Sequence, residues 1–323
     1  MAETLSLEYV QTHRTKQQSR GWKIVCPSCG GNDLWYTDDN GQAFCFECGI
    51  TYRVADGTKR DEFREDRISV SYDVPGIRTL YAELHTAYHE SLTGEHRDYL
   101  HNRGIDDSAI EQFSIGYCPP THMKSYESPL AKDAGLVSYS GAPTLSDRIV
   151  FPYIADSAVT DMRGRAVHNE EPKYRSLNHR SYNRGAIYPF NYERAMAMAR
   201  EQKMVILTEG EIKAIVSDMH GFPTVALPGM LAWKPGFIYS PDTKVVVAFD
   251  ANADPEDRRR VDKALANVEK RVPRFYVVSM PLLGEQKMDI DYFLLHARGG
   301  YSRFKYLVDN AVEYEQYKSL RRF

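Results

Sequence analysis

The sequence contains no apolar run approaching the roughly 18 residues of a membrane-spanning helix, and its mean hydropathy is −0.50. A bilayer-embedded chain is excluded, and no membrane partner is expected. Neither sign of charge dominates: Lys and Arg total 41 against 44 Asp and Glu, for a net −3 and a pI near 6.4. That balance excludes a globally basic wrapper of nucleic acid and leaves local basic patches open. Residues Met1 to Val10 lack the basic-then-apolar pattern of a secretory leader, so a cytoplasmic location is expected. No internal repeat or low-complexity tract is visible. A Gly-x-x-x-x-Gly-Lys-Ser/Thr loop is also missing, which excludes a fused P-loop motor. Cysteine is scarce, with 5 residues in 323, and nothing points to an oxidising compartment or a disulfide scaffold.

Hydrophobic residues make up 42% of the chain, enough for a real core, and the length suggests two or three domains. Four of the five cysteines share one spacing. Cys26-Pro-Ser-Cys29 is followed, fifteen residues later, by Cys45-Phe-Glu-Cys48. A two-residue spacer lets both sulfurs face one point, and Gly30 and Gly49 follow where each knuckle turns. Asp39-Asn40-Gly41, between Leu34-Trp35-Tyr36 and Ala43-Phe44-Cys45-Phe46, predicts a β-hairpin joining the knuckles. One tetrahedral zinc held by Cys26, Cys29, Cys45 and Cys48 is expected. With four protein ligands it would be structural. Trp35, Tyr36 and Phe44 either fill the hairpin core or stack on bases; alternation assigns about half to the core. Cys118, before Pro119-Pro120, reads as a packed small side chain.

Val54 to Pro75 reads as a linker. Helical spacing runs from Thr79 to Asn102 with a break near Gly94, and Asp106 or Asp107 caps a short helix through Phe113. Ser146–Ile154 and Ala158–Val167 read as strands. Residues 163–184 carry Arg163, Arg165, Lys173, Arg175, Arg180 and Arg184 against only Glu170 and Glu171, with Tyr174 and Tyr182 interleaved. Pro172 and Asn178 predict an irregular loop. Such a loop is either a phosphate or single-strand track or a solvated charged surface.

From Lys203 the pattern is α/β. Strands at Met204–Thr208, Thr224–Leu227, Lys244–Phe249 and Arg274–Met280 alternate with helices at Glu211–His220 and Pro255–Arg271. This predicts a parallel sheet with right-handed crossovers and a site at the carboxyl ends of its strands. Glu209, Asp250 and the Asp289/Asp291 pair fall at such ends or just beyond. Convergent carboxylates there suggest bound magnesium and phosphoryl chemistry.

In order along the chain, these pieces resemble the DnaG-type DNA primases. The four-cysteine ribbon resembles the primase zinc module, especially that of phage primase-helicases. Tyr99-Leu100 through Arg103-Gly104-Ile105, with Ile110, Phe113 and Ile115-Gly116-Tyr117, resembles the opening of the RNA-polymerase domain. Arg148-Ile149-Val150-Phe151-Pro152 and Gly164-Arg165 resemble its next strands. Pro172-Lys173-Tyr174 and Arg184-Gly185 resemble its basic stretch, and Glu209-Gly210, Asp250 and Asp289-Ile290-Asp291 resemble the acidic elements of a TOPRIM fold.

The resemblance implies an α/β chain with a zinc ribbon over 1–60, a linker over 61–78, an α+β subdomain over 79–200, a TOPRIM parallel sheet over 201–300 and one C-terminal helix over 301–323. It implies synthesis of short RNA primers on single-stranded DNA from ribonucleoside triphosphates, with a helicase acting in trans and magnesium or manganese as catalytic metal. Arg148, Arg163, Arg165, Lys173, Tyr174, Arg184 and Lys213 would hold template and triphosphate. Asp250, Asn252, Asp254, Asp289 and Asp291 would hold the metal, and Glu209 would assist deprotonation of the attacking 3′ hydroxyl. So compact a chain resembles phage or mobile-element versions. Two positions depart from the family pattern: Lys213 replaces an acid four residues past Glu209, and Asn252 replaces the second acid of an Asp-x-Asp. They motivate one alternative, a catalytically degenerate DNA-binding replication factor; a TOPRIM nuclease is a further reading, against which the ribbon and the Lys173-Tyr174 stretch argue.

Overall fold

The computed structural model describes the chain apart from residues 1–2, 19–20, 38–41, 46–49, 56–74, 139–140, 169, 178–185, 235, 251–253, 282–287 and 321–323. Two compact units form, one from residues 1–68 with 231–233, the other from 69–230 and 234–323. Among the described residues no helix is long and apolar enough to cross a membrane.

The first unit holds β1 (Glu3–Ser6), α1 (Leu7–Thr12), β2 (Arg14–Gln18), β3 (Gly21–Ile24), β4 (Leu34–Thr37), β5 (Gln42–Cys45) and β6 (Thr51–Ala55). They form one sheet in the order β1-β6-β5-β4-β3-β2. The expected hairpin is β4 against β5, with Leu34 opposite Cys45 and Trp35 opposite Phe44. Strand alternation sorts its aromatics: Leu34, Tyr36, Ala43 and Cys45 face the core, whereas Phe44 is exposed and Trp35 half-buried. The parallel pairing of β1 with β6 brings in Leu5, a contact no local pattern announces.

The second unit opens with α2 (Pro75–Glu90), α3 (Gly94–Asn102) and α4 (Asp107–Gln112). Helix α2 starts four residues before the expected Thr79 and buries Ile77, Leu80, Tyr81, Leu84 and Tyr88, a single helical face. Asp106 caps α4 by accepting from the Ala109 amide at 2.8 Å. An antiparallel sheet follows, made of β7 (Gly116–Cys118), β8 (Arg148–Ala155), β9 (Ala158–Ala166) and β10 (Tyr174–Ser176), in the order β10-β9-β8-β7. The expectation of an irregular basic loop is corrected at β10. Tyr174 pairs with Arg165 and Ser176 with Arg163, because the free edge of β9 satisfies backbone groups that a loop would leave to water.

The remaining elements are α5 (Tyr192–Gln202), β11 (Met204–Glu209), α6 (Glu211–Met219), β12 (Thr224–Leu227), β13 (Lys244–Val247), α7 (Pro255–Glu269), β14 (Tyr276–Val277), α8 (Ile290–His296), α9 (Gly300–Asp309), β15 (Val312–Glu313) and α10 (Tyr314–Leu320). The sheet order is β12-β11-β13-β14-β15, parallel except for β15. A single helix over 301–323 is therefore incorrect. Val312 and Glu313 pair with Val277 and Tyr276 at the sheet edge, and Tyr314 stacks on Phe275 at 4.6 Å, so edge pairing breaks the helix into α9 and α10.

Phe190 joins the two sheets. Its backbone exchanges hydrogen bonds with Ala226 of β12, and its ring meets Phe113, Phe151 and Tyr153 at 6.1, 6.3 and 5.6 Å. Phe190→Ala is expected to destabilise this unit by about 3–5 kcal/mol, read as a lower urea midpoint at unchanged m-value. A shift below about 1 kcal/mol would show that the ring does not join the two sheets energetically.

Candidate functional site

In the ribbon, the thiol groups of Cys26, Cys29 and Cys45 lie within 4.8 Å of one another, and none of the three forms a disulfide. The Cys29 and Cys45 sulfurs are 3.7 Å apart. Four sulfurs about 2.3 Å from a tetrahedral zinc stand about 3.8 Å from each other, so the spacing fits that metal. Burial opposes ionisation of Cys26, but the Tyr52 hydroxyl and the Cys29 and Ser28 amides outweigh it and hold the thiol below its ordinary range. That favours the thiolate a metal needs. Cys48 lies outside the described residues.

The second site lies where strand order reverses. Strand β11 has β12 on one side and β13 on the other, and a crevice opens at the carboxyl ends of adjacent strands whose connections leave in opposite directions. Glu209 ends β11, and Asp250 lies three residues beyond β13. The turn after Glu209 requires glycine: Gly210 has φ +82° and initiates α6. From the far side, Asp289 is the N-cap of α8 without a side-chain capping bond, and Asp291 lies in its first turn. Glu209, Asp250 and Asp289 line one cleft of about 390 Å³, with Arg103, Arg163, Arg165, Lys173, Tyr174 and Lys213 on its other walls.

Cations are already committed to the acids. Lys213 Nζ is 2.5 Å from Asp250 Oδ1 and 3.8 Å from Glu209 Oε1. Burial works against its charge, but Asp250 and Glu209 prevail and hold the ammonium above its ordinary range. Arg103 pairs with Asp291 Oδ2. Asp291 Oδ1 is buried without a hydrogen-bond donor. Asp289 is pushed up to about 6, first by burial and then by the charges of Asp291 and Asp250. A bare buried carboxylate oxygen beside a crowded acid is a deficit of positive charge that a hard divalent cation fits.

The basic wall is built on β9 and β10. Tyr174 lies under Arg163 and Arg165, whose guanidinium carbons are 4.4 and 5.0 Å from its ring centre. Arg165 donates to the Tyr174 hydroxyl and, at 2.5 Å, to Tyr99. Glu211 is fully buried. It accepts from the Tyr153 hydroxyl at 2.7 Å and from Arg163 at 3.1 Å, so Arg163 is held largely inside. Arg148 does not reach the cleft: it is 2% exposed and donates to the carbonyls of Ser146 and Pro172, bracing the turn that carries Lys173. A Cβ on Gly164 would come within 2.9 Å of the Arg148 Cδ, so glycine there makes room for that brace. Asp254 caps α7 by accepting from the Glu256 and Asp257 amides, and it does not line the cleft. Asn252 and Arg184 lie outside the described residues. Sequence reasoning did not assign site roles to Arg103, Glu211, Tyr153 or Tyr99. Only Arg103, just before Gly104 at a helix end, carried a visible signal.

A parallel sheet with carboxylates at its switch point, facing a wall of arginine and lysine, defines a TOPRIM-type core in a chain that also carries a zinc-ribbon unit. Residues 84–193 match the family described as DNA primase catalytic core, N-terminal domain. The curated DNA primase of Staphylococcus epidermidis is 28% identical over 61% of this chain and 36% of its own length; that of Thermotoga maritima is 31% identical over 45% and 28%. Among solved structures, a DnaG primase catalytic domain bound to ssDNA has a TM-score of 0.59 at 20% identity, over 74% of this chain and 79% of that one. The Aquifex aeolicus primase, with its zinc-binding and RNA polymerase domains, has 0.58 at 18% identity, over 95% and 83%. Over the matched regions the chain is thus similar to the DnaG-type DNA primases. The matched region is well under half the length of those two curated relatives.

Two outcomes follow from this geometry. Cys45→Ser should release zinc, read as loss of bound metal by mass spectrometry, and should unfold the ribbon sheet; full retention of zinc would contradict Cys45 as a ligand. At the acidic site, Asp289 keeps its proton below about pH 6, so an ion binding there must displace it. Manganese affinity should therefore hold above about pH 6 and weaken as pH falls below it, with proton release seen in buffers of different ionisation enthalpy. An affinity unchanged between pH 7 and 5 would remove Asp289 from the ligand set.

Proposed function

We propose that this chain is a DNA primase core, joining ribonucleotides into short primers on a single-stranded DNA template by metal-dependent nucleotidyl transfer. The observation that carries this reading is the cleft itself, where acids at the strand ends face Arg165, Lys173 and Tyr174 across one opening. The acids match a divalent cation and the basic wall matches phosphates, as transfer of a nucleotidyl group requires. Asp289 and Asp291 are the residues that would hold magnesium or manganese, with Asn252 as a neutral oxygen ligand, while Asp250 is paired with Lys213. The bound ion would polarise the triphosphate and stabilise the leaving pyrophosphate. Glu209 accepts the proton of the attacking 3′ hydroxyl. Lys173 and Arg165 bind triphosphate and template phosphates, a role that Arg184 shares. Arg163 and Arg148 support the wall from behind.

The ribbon binds one zinc through Cys26, Cys29, Cys45 and Cys48, and its outward Trp35–Phe44 pair presents flat rings suited to stacking on template bases. A replicative helicase acts in trans, in the cytoplasm of a bacterium or of a phage-infected host. Against this stands one specific observation, the Lys213–Asp250 ion pair, which favours a degenerate DNA-binding factor.

Incorporation of labelled ribonucleotides on random single-stranded templates separates the two. The primase reading expects short products, abolished by Asp250→Ala; binding of single strands without any product would establish the degenerate factor. Lys173→Ala should weaken single-strand or triphosphate binding roughly tenfold and lower the salt slope by about one, with the melting temperature unchanged. Unaltered binding and product yield would make Lys173 an ordinary surface cation.

A further inference from the structure

The four acids of the cleft are not equivalent. Among the described residues, the Cys26/Cys29/Cys45 group is the one set of three or more metal-ligating side chains whose ligand atoms lie within 4.8 Å of one another; no three of the carboxylates do so. Instead the acids divide into two halves. Glu209 and Asp250, at the ends of adjacent strands, share the Lys213 ammonium at 3.8 and 2.5 Å. The lysine side chain is only 13% exposed and that of Asp250 only 4%. Helix geometry enforces the arrangement, because Lys213 stands one turn beyond Glu209 on α6, whose start is fixed by the Gly210 turn. In the other half, Asp291 gives Oδ2 to Arg103 and leaves Oδ1 buried without a donor, next to Asp289.

We propose that Lys213 is a built-in cation that takes the place of a divalent ion between Glu209 and Asp250, so that the acidic cluster of this chain accepts a single divalent ion, at the Asp289–Asp291 half. A second ion could enter the Glu209–Asp250 half only by displacing a nearly dry ammonium from its two partners, and would then face that charge at close range. Arg103 occupies only the Oδ2 side of Asp291 and leaves Oδ1 without a bonded cation to displace. The inference rests on the nucleotidyl-transfer reading only for the class of ion, a hard divalent cation.

Titration of the zinc-loaded full chain with manganese, without nucleotide or template, tests it, with free manganese counted by electron paramagnetic resonance. The native chain should saturate at a single manganese per chain, and Asp291→Asn should lose it. Lys213→Asp should gain a second equivalent. Lys213→Met removes the cation with little change of volume, and it should gain the same equivalent even if the aspartate variant fails to fold. A second equivalent in the native chain, or native stoichiometry in every folded Lys213 variant, would overturn the proposal. Ion counts need no polymerisation, so a chain that makes no primers but shows this pattern refutes the primase reading alone. Active primers with two ions in the native chain refute the tethered cation alone.

Discussion

The direct pairing of β11 with β13, Val205 against Val245 through Leu207 against Val247, is the constraint on which the rest of the site depends. The chain leaves β11, crosses through α6 to β12 on one side, and returns to β13 on the other. The connections diverge there and leave room between the strand ends for side chains to meet a ligand. Thr208 ties the two ends together by donating its hydroxyl to the Ala248 carbonyl at 2.9 Å, and the Gly210 amide bonds Leu227. Glu209 and Asp250, far apart in sequence, become neighbours because β11 and β13 pair directly and both residues follow at their carboxyl ends.

Around that crevice the protein keeps its charges paired. Lys213 with Asp250, Arg103 with Asp291 and Arg163 with Glu211 are three ion pairs in which at least one partner is nearly fully buried. Removing one member of such a pair leaves an uncompensated buried charge, which costs about 3–5 kcal/mol. These pairs therefore need not add net stability to be locked in place. They fix which cations point into the cleft and which serve as braces. Glu211 holds Arg163, Arg148 is spent on the Pro172 turn, and Arg165, itself buried, donates to Tyr99 and Tyr174, while Arg163, Arg165 and Lys173 all line the cleft.

Much of this was legible from local pattern. The clustering of Cys26, Cys29 and Cys45, the pairing of β4 with β5, the strand–helix alternation after Lys203, and Glu209 and Asp250 at strand ends all follow from spacing and periodicity over a few residues. The errors share a cause. Strand β10, the β15 edge that breaks the last helix, and the β1 pairing with β6 are short segments whose backbone bonds go to partners far away in sequence. No window of local hydrophobicity contains that information. Asp254 was expected among the metal ligands; next to Pro255 it caps α7, its Oδ1 accepting from the Glu256 and Asp257 amides.

The sequence by itself determined the chemical inventory: four thiols at chelating spacing, acids at the ends of apolar strands, a basic stretch with interleaved tyrosines, and a lysine where an acid was expected. Those are properties of residue type and short-range spacing, which chain connectivity preserves whatever the fold. Only the tertiary structure decided which charges meet. It set Lys213 against Asp250, Arg103 against Asp291 and Glu211 behind Arg163, because electrostatic partnership depends on distances and burial that long-range strand order and sheet packing alone impose.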